Sequence, residues 1–251
     1  MLNTKSIVAV DIGNSRIKLL YNNLFKGFEI QSQWENMLLN YLDKLSTDQT
    51  LLYYSSVNPK IEIEFLELCT SKDNLVVNSI SNLLRKQNFI DTSSIQGIGN
   101  DRLLGLIGAL RYSDFPIITL DFGSAITINF ANDGKCIGGA ILPGAITQIN
   151  SLAKMSESLK VNDFNISGAF YGNNTSDAIM SGIYLSCAGA VEKALEKAES
   201  QFGSEFTKNI YATGGLAHLF ADKIEIKQKI NYKPNLVLEG IYKLITTSEK
   251  Q

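Results

Sequence analysis

One short pattern occurs twice in this chain, near residue 11 and near residue 121, and the repetition restricts what the chain can fold into. The first copy is the apolar run Ile7-Val8-Ala9-Val10, then Asp11, Gly13, Asn14 and Ser15, then a second apolar run over 17–21. The second copy is Ile117-Ile118-Thr119-Leu120, then Asp121, Gly123 and Ser124, then an alternating run to Phe130. Each copy reads as a β-hairpin whose tight turn carries a carboxylate, a glycine and a hydroxyl. Two copies imply an internal duplication. The glycine lets backbone come close to a ligand. Amide and hydroxyl donors in such a turn suit phosphate oxygens, and the carboxylate suits a cation that travels with them. Arg16 and Lys18 share one side of the second strand. There they either meet phosphate charge or form the solvated face of an edge hairpin.

Between the hairpins the periodicity alternates. A helix is expected over 33–45, with Trp34, Met37, Leu38, Tyr41, Leu42 and Leu45 at three-and-four spacing. A strand follows over 51–57, closed by Pro59, then a helix over 61–69 and a short strand over 75–77. This alternation argues for α/β architecture. The polar break Asp114-Phe115-Pro116 divides the chain into expected domains 1–115 and 116–251. A length of 251 residues supports a sizeable core. The net charge of −2 offers no electrostatic footprint for nucleic acid or an anionic membrane. No apolar stretch approaches a membrane span, and Asp11 interrupts the early apolar run, so neither an anchor nor a leader is expected. Cys69, Cys136 and Cys187 are far apart and odd in number, which fits reduced, buried thiols in a cytoplasmic protein.

Further motifs follow in order. Gly97-Ile98-Gly99-Asn100-Asp101-Arg102 leads into a helical stripe of Leu103, Leu104, Ile107 and Leu110, with Asn100 as the expected N-cap and Asp101 and Arg102 in the first turn. It is not a dinucleotide fingerprint, since Arg102 stands where a third glycine is required. An acid in the first turn would favour the helix dipole without any function. Asp133-Gly134 signals a type I′ turn, and Gly138-Gly139-Ala140-Ile141-Leu142-Pro143-Gly144 leads into a helix from Ala145. Gly172-Asn173-Asn174-Thr175 precedes a long helix over 176–200, for which Asn174 or Thr175 would serve as cap. Thr213-Gly214-Gly215 joins a short strand to a helix, where a ligand can lie against backbone. His218 is the single histidine and is expected as a surface or capping residue.

Taken together, the paired hairpins resemble those of the acetate-and-sugar-kinase/Hsc70/actin superfamily, in which two ribonuclease-H-like domains of duplicated topology close on a nucleotide. Gly99-Asn100-Asp101-Arg102, the 138–144 string and Pro234-Asn235-Leu236-Val237-Leu238-Glu239-Gly240-Ile241 resemble type III pantothenate kinases in particular. The resemblance implies ATP-dependent phosphorylation of pantothenate to 4′-phosphopantothenate, the first step of coenzyme A synthesis. It implies Asp101 as the catalytic base and Gly99, Asn100, Asp101, Arg102 and Thr175 as the pantothenate contacts, with Thr175 reaching the substrate of a partner subunit in a homodimer. Small residues at steps of four along the 176–200 helix fit either that dimer or a buried helix. ATP would lie on Asp11, Ile12, Gly13, Asn14, Ser15, Arg16, Ile17 and Lys18, on Gly123 and Ser124, and on Gly214 and Gly215. Asp11 would serve Mg²⁺, directly or through water, and Asp121 a monovalent cation, K⁺ or NH₄⁺.

The chain departs from the family's pattern at several points. Serines replace threonines at Ser15 and Ser124, keeping the hydroxyl. Asn129 stands where the family usually has Asp, and residues 88–95 lack the Tyr and Pro that help wall the substrate pocket. Two other readings compete. A non-catalytic nucleotide-binding regulator on the same fold is opposed by the intact Asp101. A ribonuclease-H-like nuclease would require basic clusters and several acids at one site.

Overall fold

The computed structural model describes residues 6–45 and 49–248. β1 (Ser6–Ile12) and β2 (Arg16–Tyr21) form the first hairpin, and β3 (Leu24–Glu29) extends it into an antiparallel meander. Asn22 and Asn23 take φ of 47° and 64°, which is what a two-residue type I′ turn needs. That Asn-Asn pair is the local signal for β3, a strand the periodicity did not reveal. β4 (Thr50–Ser56) runs parallel to β1 and β5 (Leu75–Ser79) parallel to β4, giving the order β3-β2-β1-β4-β5. Pro59 does more than end a strand. It opens α2 (Pro59–Thr70), where its missing N–H is harmless, and Asn58 caps that helix by accepting from the Ile61 N–H. α1 (Trp34–Leu42) and α2 bury Trp34, Leu38, Ile61 and Phe65 against Val8, Val10, Ile12 and Leu52 on one face of the sheet. α3 (Ser81–Lys86) and α4 (Asn100–Ala109) follow.

The second sheet repeats the plan. β6 (Ile117–Phe122), β7 (Ala125–Asn132) and β8 (Lys135–Pro143) form the meander, and β9 (Ile210–Thr213) and β10 (Ile230–Tyr232) add in parallel, in the order β10-β9-β6-β7-β8. Asp133 and Gly134 form the expected turn, at φ of 48° and 74°. α5 (Ala145–Met155), α6 (Thr175–Phe202) and α7 (Ala217–Phe220) accompany this sheet. Ile118, Leu120, Phe122, Ile126 and Ile128 share a core with Ile183, Cys187, Val191 and Leu195 of α6. The duplicated ribonuclease-H-like plan is therefore present in both sheets, as the α/β reading expected.

Contacts divide the chain into two compact units, which are not the uninterrupted stretches 1–115 and 116–251. The first unit takes residues up to Ile90, Gln96–Arg111 and everything from Asn235 onward, while the second takes Asp91–Ile95 and Tyr112–Pro234. The reason is α8 (Leu236–Ser248), which packs on α4 and β1 of the first unit. The two helices cross at backbone distance. A Cβ on Gly108 would overlap the Leu236 carbonyl, and a Cβ on Gly240 would overlap the Leu104 carbonyl. The glycine near the end of the chain thus fixes the helix that carries Asp101. Cys69, Cys136 and Cys187 are all buried, and none forms a disulfide. Among the described residues, no helix is long and apolar enough to cross a membrane.

Candidate active site

In the first unit, Asp11 lies near the end of β1 and is 5% exposed. Its cross-strand partner is Lys18, whose Nζ stands 3.4 Å from Asp11 Oδ2. Arg16 lies two residues earlier and pairs instead with Glu29 of β3. The two basic residues share a face, as their spacing requires, but have separate partners. The Gly13 N–H donates to the Arg16 carbonyl at 3.0 Å and closes the turn, leaving Asn14 and Ser15 exposed. Ile12 and Ile17 are fully buried in the core. Their side chains cannot reach a nucleotide, so any contact there is through backbone. On the other side of Asp11, parallel β4 places Ser55 in register. Ser55 is 2% exposed and its Oγ has no hydrogen-bond partner. Sequence reasoning missed it, because a Ser-Ser pair at a strand end carries no local signal.

Asp101 sits in the first turn of α4. The N-cap is Gly99 rather than Asn100: Gly99 takes the extended backbone, Asn100 is already helical, and no side chain caps the helix. Burial pushes the Asp101 carboxyl above the ordinary Asp range, and the neighbouring Asp11 carboxylate adds to the rise. The Arg102 backbone N–H and the Arg102 guanidinium oppose it. Asp11 and Asp101 are thus close enough within one unit to sense each other's charge.

In the second unit, Asp121 stands opposite Thr127 of β7 and Thr213 of β9. Thr119 and Asn129 pair on the same face. Asn129 is 2% exposed, and its Nδ2 donates to Thr119 Oγ1 and to Thr127 Oγ1, each at 3.2 Å. A carboxylate at this position could only accept; the amide satisfies both hydroxyls without adding a charge. The Gly123 N–H closes the turn onto the Ala125 carbonyl at 3.1 Å. The Ser124 carbonyl accepts from the Gly144 N–H and from the Thr147 hydroxyl, at 2.9 and 2.6 Å. The 138–144 string therefore ties this turn to the start of α5. Gly214 is buried at φ of 96°, and a Cβ there would overlap Asp121 Oδ1 and the Phe122 backbone. Gly215 beside it is exposed.

Asn174 caps α6 by accepting from the Asp177 N–H. The Thr175 hydroxyl is consequently not needed for capping, and Thr175 is exposed on an open groove of 470 Å³ with Gln148, Leu152 and Ile179. His218 is exposed, as expected. A larger cavity, of 660 Å³, lies in the first unit beside Asn22, Arg111 and Tyr242. It is at the end of β2 remote from the Asp11 turn.

A family model described as type III pantothenate kinase matches residues 7–197. The chain belongs to that family. A type III pantothenate kinase of Fusobacterium nucleatum is 29% identical over 255 residues, covering 95% of this chain and 98% of its own. One from Synechococcus elongatus is 34% identical over 154 residues, 61% of each chain. Among solved structures, a Campylobacter jejuni protein named for the Baf family of transcriptional activators matches with a TM-score of 0.63 at 21% identity, covering 97% of this chain and 100% of that one. MreB5 of Spiroplasma citri bound to ADP matches with a TM-score of 0.54 at 10% identity, covering 98% of each. At such identities these structures speak for the fold alone, which is that of the actin-like ATPases.

A kinase of this family uses ATP with a divalent metal, and the residues present fit both. A magnesium ion carried by a nucleotide takes one or two carboxylates, phosphate oxygens and water. Buried Asp11 is a carboxylate that would suit such an ion, and Ser55, in register with it on β4, is a buried hydroxyl. The oxygen-rich face around Asp121 offers the hard donors that a monovalent cation takes.

Proposed function

We propose that this kinase transfers the terminal phosphoryl group of ATP to the primary hydroxyl of pantothenate, opening coenzyme A synthesis. The Asp101 carboxylate accepts the hydroxyl proton as the new O–P bond forms, and the bond to ADP breaks with its electrons leaving on the ADP oxygen. Gly99, Asn100 and Arg102 hold the substrate beside that base. Backbone and hydroxyl donors of Gly13, Asn14 and Ser15, and of Gly123 and Ser124, hold the phosphates, with Arg16 and Lys18 adding charge. Asp11 serves the divalent cation, which when bound offsets phosphate charge. Asp121 serves K⁺ or NH₄⁺, and Gly215 lies against adenosine with Gly214 behind it. Thr175 meets the pantothenate of a second subunit, so the working form is a homodimer.

The observation that carries this reading is the Asp101 carboxyl, half-buried, raised above its usual range and within reach of the Asp11 charge. A carboxylate tuned upward is a better base near neutral pH. The test is ADP release by the purified protein with ATP, Mg²⁺, K⁺ and pantothenate. Turnover that does not depend on pantothenate refutes the substrate, and turnover indifferent to K⁺ refutes the role of Asp121. Mass measured in solution at working concentration decides the dimer.

A further inference from the structure

We infer that Ser55 is a further residue of this site, its hydroxyl holding a water molecule in the hydration shell of the divalent cation beside Asp11. The inference rests on the reading of Asp11 just given. Register places Lys18, Asp11 and Ser55 in one row across β2, β1 and β4, a cation, a carboxylate and a hydroxyl on a single face. That face is opposite the one covered by α1 and α2. The helix that carries Asp101 packs on β4. Lys18 already engages Asp11 from one side. Ser55 flanks it from the other, buried to 2% exposure with an Oγ that bonds to nothing.

A buried hydroxyl without a partner is uncommon, because burial strips its water and returns nothing. Ordered water commonly satisfies such a group. Neighbouring strands stand ~4.8 Å apart, a spacing that one water molecule can bridge between Ser55 Oγ and an Asp11 oxygen. Magnesium in particular keeps several of its waters when it binds through carboxylate and phosphate. An oxygen donor one water away from Asp11 is what such an ion needs.

Ser55→Ala separates this role from a structural one by leaving the fold's stability unchanged while weakening metal-dependent binding. The nucleotide-free variant should melt within about 2 °C of wild type, since the fold makes no direct hydrogen bond through this hydroxyl. Its affinity for ADP, measured by calorimetry in Mg²⁺, should fall roughly fivefold, while its affinity for ADP in EDTA stays within about twofold of wild type. A variant that melts lower by more than that, or that binds ADP in Mg²⁺ as wild type does, overturns the inference and leaves the Asp11 assignment standing. A wild-type protein whose ADP affinity is the same in Mg²⁺ and EDTA overturns the Asp11 assignment, and the role of Ser55 with it.

Discussion

Replacing Asp101 by Asn tests the chemistry and the electrostatics together. The amide keeps the shape of the side chain but cannot accept the substrate proton. General-base assistance is worth ~10²–10⁴ in rate, which is about 2.7–5.4 kcal/mol of barrier at 1.36 kcal/mol per decade. kcat should therefore fall by at least about a hundredfold, with KM for pantothenate changing far less. Stability should move the other way. The folded-state Asp101 carboxyl is raised by burial and by Asp11. A raised acid gives stability that is full below its unfolded value, 3.8, and is lost as pH climbs through the folded value. Above that folded value the wild type carries an ionised, half-buried carboxylate beside Asp11. The variant is relieved of it, so it should melt higher at pH 7, and the difference should vanish as pH is lowered. Pantothenate-dependent ADP release and thermal melts across pH read both effects. Turnover within tenfold of wild type would sink the base assignment; a variant that melts lower at pH 7 would sink the electrostatic account.

The same carboxyl predicts the pH profile. kcat/KM should lose activity on the acid side through a limb above the ordinary Asp value, and Arg102→Met should move that limb higher, because the guanidinium opposes the rise. Gly240→Ala places a methyl against the Leu104 carbonyl of α4. It should cost about 1–3 kcal/mol in chemical denaturation and lower kcat by displacing Asp101. Asn129→Leu removes both donors to Thr119 and Thr127. A loss of about 1–3 kcal/mol is expected for the buried hydroxyls left behind, and half-activation should need more K⁺ if Thr127 steadies Asp121. A variant as stable as wild type would show that the two bonds contribute nothing.

Much of the fold and part of the site could be read along the chain. Both hairpins were visible because a strand's period of two, a turn glycine and a terminal carboxylate are all local features. The Asp133-Gly134 turn and the first-turn position of Asp101 were readable for the same reason. Asn100 was mistaken for the cap because Asn is a favoured capping residue, while the backbone of Gly99 takes that position instead. Ile12 and Ile17 entered the nucleotide set by belonging to the motif, yet alternation turns both side chains into the core.

The sequence by itself determined two copies of one strand plan, the acids that end their first strands, and the helix turn that carries Asp101. Only tertiary structure decided which side chains stand beside those acids. Lys18 meets Asp11 through antiparallel register, Ser55 meets it through parallel register across residues far apart in the chain, and Gly214 is held small by the Asp121 carboxylate. The final helix packs with the first unit because Gly108 and Gly240 let two backbones touch. Register and close approach depend on pairs distant in sequence, and no local period of hydrophobicity or turn chemistry encodes them.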